Sequence, residues 1–311
     1  MNIKGAAKAA IAVVIVTAGL VASGGAIAAA GSTRTAASPV LGPAAMPAGR
    51  STLSETAIYA DDHPDVFARA ATTRDALGFT KGATRKGRHV TDGLQNSAYN
   101  EVAEVDTAGQ PTSLAQFDGS GRLLAAVRFD APSRSGSGVS GDEAATMAQR
   151  GLVSAGLAPT GRASSQANAA AGGWDVRWPR TQGGFTVRGD ELSAHVWQDG
   201  RIQSVARVEH DLAAAPARTI AHDQAQSVVT ARCNVWFQGS DSGFSVQSMD
   251  LEWVGPNAAF DPAMVNAATE QYRLAWVANV KPSGRAADSL RLVTLYVDAG
   301  DGSVIGGDVV E

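Results

Sequence analysis

Three segments of this chain share one layout: a short apolar strand, an Asp/Gly turn and a second apolar strand. They are QFDGSGRLLAAVRFD (116 to 130), VWQDGRIQSVARVE (196 to 209) and LYVDAGDGSVIGGDVV (295 to 310). A tight hairpin needs turn residues that tolerate positive φ and match the twist of the flanking strands, which is why Asp and Gly recur there. The recurrence restricts the chain to folds built from small antiparallel hairpins. No catalytic constellation sits on any of the three.

At 311 residues the chain is long enough for two or three modules once its N-terminal segment is set aside. The 26 basic and 30 acidic residues give a net charge of −4, which offers no electrostatic footprint for nucleic acid. The 34 glycines and many Ala-rich stretches suit strands joined by loops better than a helical bundle.

Residues 1–30 have the layout of an export signal: Lys4 and Lys8, an apolar run from Ala9 onward, and small residues at Ala26, Ala28 and Ala30 that satisfy an A-x-A cleavage pattern. The same run, residues 9–30, is long enough to stay in the bilayer as an anchor if it is not cut. Either way the expected location is secreted or extracytoplasmic, with membrane contact only through this segment. Cys233 is the single cysteine, so no intramolecular disulfide forms and no thiol lies near the leader for acylation. Such a thiol is expected to be buried as a small apolar side chain.

Residues 31–54 are Ala, Ser, Pro, Gly and Thr with almost no large apolar side chain, and read as a disordered linker. A first module over 55–135 opens with a helical stretch through Phe67 and Leu77. It closes as a meander of Tyr99 to Thr107, Pro111 to Asp118 and Arg122 to Asp130. A second, over 138–215, begins at a capping box, Ser140 with Glu143, and a helix from Gly141 to Ala155 whose stripe is Ala144, Met147, Ala148, Leu152 and Val153. Strands follow at Gly173 to Pro179 and Phe185 to Arg188, then a hairpin from Leu192 to Glu209. A third module, over 216–311, has a helix from His222 to Cys233 and strands at Tyr272 to Val280, Leu290 to Asp298 and Ser303 to Val310.

The stretch TQGGFTVRGDELSAHVWQDGRIQSVARVEHDL, followed by TIAHDQAQ, YRLAWVANV and LYVDAGDGSVIGGD, resembles the pro-region of secreted thermolysin-like metallopeptidases, in which an FTP module is joined to a PepSY module. The resemblance covers roughly residues 138 to 311 and rests on the order of the pieces as much as on their wording. It departs at Ala221, where such modules carry Ser or Thr at the helix start. It implies an α+β fold of tandem modules, each a helix packed on an antiparallel sheet. In the peptidases a zinc domain with an H-E-x-x-H helix follows, and none of His63, His89, His195, His210 or His222 falls in that pattern. The resemblance therefore implies a free-standing, non-catalytic protein that binds an extracellular peptidase and inhibits it or assists its folding. The rival reading is an envelope scaffold or sensor that binds a wall polymer or a membrane partner.

Other patterns yield to plainer readings. Gly136, Gly138 and Gly141 spell G-x-G-x-x-G but sit in a Ser-rich linker with no second apolar strand after the helix, so no cofactor is expected. Asp298, Asp301 and Asp308 read as turn-forming acids, because their spacing does not fit a calcium loop; no metal is expected. The run Lys81, Arg85, Lys86, Arg88 and His89 reads as a solvated basic loop. Trp174, Trp178, Trp236, Trp253 and Trp276 read as core or sheet-edge residues. His195 and Trp197, sharing one face of a strand, are the candidate partner-binding pair, since aromatic side chains with a polar handle anchor interfaces. No catalytic residue is assigned: Ser193 shares that face but has no activating or oxyanion feature.

Overall fold

The computed structural model describes residues 53–92, 97–132, 138–237, 241–257 and 271–310. The export-signal segment, most of the linker and Gly136 lie outside the described residues. Among the described residues, no helix is long and apolar enough to cross a membrane.

The first strands are β1 (Leu53–Ile58), β2 (Thr84–Asp92), β3 (Ser97–Val105), β4 (Pro111–Asp118) and β5 (Leu123–Arg128), with helix α1 (Pro64–Ala76) between β1 and β2. Helix α2 (Gly141–Ser154) precedes β6 (Ser164–Asn168), β7 (Gly173–Gln182), β8 (Phe185–Trp197), β9 (Ile202–Val208) and the two-residue β10 (Asp211–Leu212). Helix α3 (His222–Trp236) then leads to β11 (Ser242–Val254), β12 (Gln271–Gly284), β13 (Leu292–Asp298) and β14 (Val304–Val310).

These strands do not form the expected tandem of modules, each a helix on its own antiparallel sheet. They join one large mixed sheet of 14 strands whose main path runs β1-β2-β3-β4-β5-β9-β8-β11-β12-β13-β14. The α+β tandem reading is corrected at two seams. Ala125 of β5 pairs with Ala206 of β9, and Thr186 and Val187 of β8 pair in parallel with Glu252 and Trp253 of β11. The physical reason is that a module's last strand leaves a row of N–H and C=O groups unpaired, and the neighbouring strand satisfies them. The apolar interior follows the sheet across the first seam: Ile58 and Phe67 belong to the same core as Leu152, Val176 and Val205.

The hairpins are built as the turn chemistry requires. Gly121 N–H donates to the Asp118 carbonyl at 2.9 Å, and Gly200 N–H to the Trp197 carbonyl at 2.9 Å, with both glycines in the left-handed region (φ 79° and 83°). Pairing register shifts beside each turn, between Gln116 and Phe117 and between His195 and Val196. A tight turn followed by a left-handed glycine, with a bulge next to it, is the geometry a three-residue hairpin loop imposes. Asp118 Oδ1 accepts from Ser120 N and Arg122 N at 2.9 Å each, closing the loop on itself.

Helix α2 starts at the expected capping box: Glu143 N–H donates to Ser140 Oγ, and Ser140 N–H donates to Glu143 Oε2. Its buried stripe is Ala144, Ala148, Gly151 and Leu152; Met147 and Val153 face solvent, contrary to the expected stripe. At the start of α3 the missing hydroxyl of Ala221 leaves half a box, in which Ala221 N–H donates to Gln224 Oε1 at 3.1 Å. Ala225, Val229 and Cys233 of α3 face Ala278, Val280, Val293 and Leu295 of the sheet.

From Arg85 onward the basic run lies in a strand rather than a solvated loop, while Lys81 is exposed ahead of it. In β2, Arg85 lies 3.0 Å from Glu104 and Arg88 lies 2.6 Å from Glu101, while His89 Nδ1 is 2.9 Å from Asn100 Oδ1. Cross-strand acids thus absorb the charge that composition alone assigned to solvent. Strands β1, β6 and β11 were also unforeseen, and β8 runs unbroken through Gly189 where the sequence suggested an interruption.

Candidate functional site

Strand β8 serves two neighbours along a single edge. Its C-terminal part, Glu191 to Val196, pairs with β9, and Thr186 and Val187 near its start pair with β11. Between them, at Asp190, one neighbour has left and the other has not arrived. A cleft of about 440 Å³ opens near this point, lined by Arg122, Arg180, Gln182, Glu209, His210, the segment from Asp211 to Ala215, and Trp253.

Asp190 fills the gap in the ladder. Its side chain is fully buried and accepts three hydrogen bonds: from Arg180 Nη1 at 2.9 Å, from His210 N at 2.8 Å and from His210 Nδ1 at 2.5 Å. A buried carboxylate survives only when its lone pairs are occupied, and here a side chain takes the place of the missing strand. A carboxylate oxygen accepts, so Nδ1 of His210 is the donor of that contact. The His210 ring stacks on Tyr272 of β12 with centroids 4.3 Å apart and planes 14° apart. Burial, and then the nearby carboxylates of Asp190 and Asp308, push the Tyr272 phenol up to about 12, so it stays neutral as the ring's platform.

Charges of both signs line the opening. Glu209 lies 3.6 Å from Arg122, 3.5 Å from Arg180 and 3.6 Å from Arg207, outside direct hydrogen-bond range of all three. The tight contacts of these arginines go elsewhere: Arg122 Nε to Asp118 at 2.8 Å, and Arg180 Nη1 to Asp190 and to the His210 carbonyl at 2.8 Å. Burial, together with the neighbouring Arg122 guanidinium, draws the Arg207 pKa below its ordinary value despite Glu209 and Asp118. The cleft therefore offers guanidinium groups, a carboxylate and an imidazole. Its described lining contains no Ser, Thr or Cys, so His210 has no side-chain nucleophile to activate.

The pair singled out from sequence, His195 and Trp197, lies elsewhere. His195 is five positions along β8 from Asp190, roughly 17 Å of extended chain. Both are buried, at 7% and 3% exposure, and do not present the docking face the alternation suggested. His195 Nδ1 is 2.7 Å from Asp175 Oδ1, which is steadied in turn by Asn168, and its buried Nε2 has no partner. The guanidinium groups of Arg128 and Arg201 lie 5.5 and 5.1 Å from the Trp197 ring, with Asp130 joining the two arginines. That cluster ties β5 to the β8/β9 hairpin. The tryptophans are structural anchors: Trp174, Trp253 and Trp276 donate to the carbonyls of Val139, Gln182 and Ile220. Asp298 accepts from Gly300 N and lies 2.7 Å from Arg273, as a turn acid does. No group of side chains suited to a metal ion occurs among the described residues.

Asp190, His210, Arg180, Arg122 and Glu209 carried no motif. A trace was present: counting outward from the turn at Asp199 and Gly200 sets the charged run Arg188 to Glu191 opposite Val208 to Asp211. No protein-family model matches the chain, and no curated protein matches it.

Proposed function

We propose that this chain is a non-catalytic exported protein that holds an extended stretch of a partner polypeptide in the cleft beside Asp190. The proposed partner is an extracellular peptidase, which it inhibits or helps to fold. The observation that carries the reading is the cleft's make-up. One wall is the segment from Asp211 to Ala215, three of whose side chains are methyl groups, and the rest supplies polar and charged side chains suited to a peptide backbone and its polar side chains. Strand β10 pairs with β12 on one side only among the described residues, so its other side can accept an extended segment. The resemblance of residues 138 to 311 to a peptidase pro-region supports the choice of partner.

The test is a titration of a secreted thermolysin-like metallopeptidase with the full chain, following residual activity and the yield of refolded enzyme. Inhibition at a one-to-one ratio, or a raised refolding yield, is expected. Arg122 and Glu209 have side chains 58% and 33% exposed, so the double variant Arg122→Ala, Glu209→Ala should still fold, losing only the part of the Asp118 contact that the Arg122 guanidinium supplies. It should weaken the effect by about tenfold, the change that about 1.4 kcal/mol of lost contact produces. A peptidase whose activity and refolding are both indifferent to excess protein overturns the reading.

A further inference from the structure

The two ends of the sheet's main path are treated differently. At β14 the outer edge is closed by Asn257: its N–H donates to the Ile305 carbonyl at 3.0 Å, its Nδ2 donates to the Gly307 carbonyl at 2.9 Å, and its Oδ1 accepts from Gly307 N at 3.0 Å. Gly306 leaves room for this contact, since a Cβ there would stand 2.7 Å from Asn257 Oδ1. At β1 no strand pairs with the outer edge among the described residues, and Leu53 to Ala57 are all exposed. The devices that usually guard an edge are lysine, proline, a bulge or an unpaired inward charge. Strand β1, LSETAI, has none of them. Its one charge, Glu55, is neutralised by Arg88 at 2.8 Å.

The order of side chains on this strand is self-complementary. Ile58 points into the helix-covered core, so Ser54, Thr56 and Ile58 share that face, and Leu53, Glu55 and Ala57 share the other; Tyr59 follows the strand and opens the turn into α1. We infer that β1 pairs antiparallel with β1 of a second copy about a two-fold axis through Thr56, continuing the sheet across the dimer. Side-chain alternation allows only registers in which the axis passes through a residue and like faces stay together. Centred on Glu55, the pairing sets two carboxylates face to face. Centred on Ala57, it strands Leu53 beyond the partner's Tyr59. Centred on Thr56, it pairs Ser54 with Ile58 and Glu55 with Ala57 of the second copy, and it brings Leu53 alongside Tyr59, the residue after the strand, at both ends. The two exposed apolar side chains, 42% and 65% accessible, cover each other. Arg88 is the cross-strand partner of Ala57, so in this register Arg88, the small Ala57 and Glu55 of the second copy fall in one row. The guanidinium then reaches over Ala57 to a carboxylate of the opposite copy.

Thr56→Cys in the full chain tests the axis, because Cys233 is fully buried and takes no part. Mild oxidation should give a reducible dimer with Thr56→Cys and far less with Glu55→Cys, whose opposite residue is Ala57. In sedimentation velocity the unmodified chain should be dimeric. Leu53→Lys should raise the dimer dissociation constant at least about tenfold, with the circular dichroism spectrum and melting curve unchanged. A monomer at every accessible concentration overturns the inference, as does preferential cross-linking through position 55. These readouts do not depend on any peptidase, so the dimer and the proposed function stand or fall separately.

Discussion

At the scale of single residues, acids placed at turns do much of the work that hydrophobic burial does elsewhere. Asp118 is the clearest case. Burial alone would raise its pKa, but the Ser120 hydroxyl, the Arg122 backbone N–H and the Arg122 guanidinium bring it down from 3.8 to about 2. A carboxyl group more acidic in the folded state than in the unfolded one stabilises the fold at pH values above its unfolded pKa. That contribution is lost as pH falls through the folded value. With a side chain 19% exposed, Asp118 is worth about 2 kcal/mol by this linkage. Urea melts at descending pH should show stability declining between about pH 4 and about 2. Asp118→Asn should be less stable at neutral pH and lose part of that decline. Asp190 illustrates the same economy within the sheet, where one carboxylate supplies the acceptors that an absent strand would have provided.

At the scale of elements, the helix ends and the hairpins are where local sequence decides. Ser140→Ala removes one half of the α2 capping box, and thermal or chemical melts should show a loss of about 1 kcal/mol. The capping box and the Asp/Gly hairpins were legible because each is fixed by residues within a few positions of one another. Strand β12 was legible because Tyr272, Leu274, Trp276, Ala278 and Val280 alternate onto one face, and β13 and β14 because they flank an Asp/Gly turn. Strand β2 was not, since Arg85, Lys86 and Arg88 look solvated until the acids of β3 are placed beside them. Strands β1 and β6 were missed because their exposed, polar side chains carry no apolar alternation. The α2 stripe differs from the expected one because Gly151, which has no apolar side chain to mark it, is buried: it comes so close to Ile202 that a Cβ would stand 2.3 Å from its Cδ1. The cleft was hidden for a different reason. Its residues meet because β9 and β11 leave β8 at different points, and that divergence is a property of the assembled sheet.

At the scale of the whole molecule, the pairing of β5 with β9 joins residues some eighty positions apart, and no local pattern announces it. It makes the first two stretches of the chain share one interior and replaces the expected modules with a continuous sheet. A chain held together this way should open as a unit. Cys233 supplies a built-in clock for that event: burial lifts its thiol to about 11, and it faces the sheet from α3 with no exposed surface. A thiol-reactive dye should therefore stay idle with the native protein and react at the rate at which α3 comes away. If the sheet opens cooperatively, that rate will match the unfolding rate seen by tryptophan fluorescence; labelling that runs ahead of it would mean that the C-terminal strands come apart first.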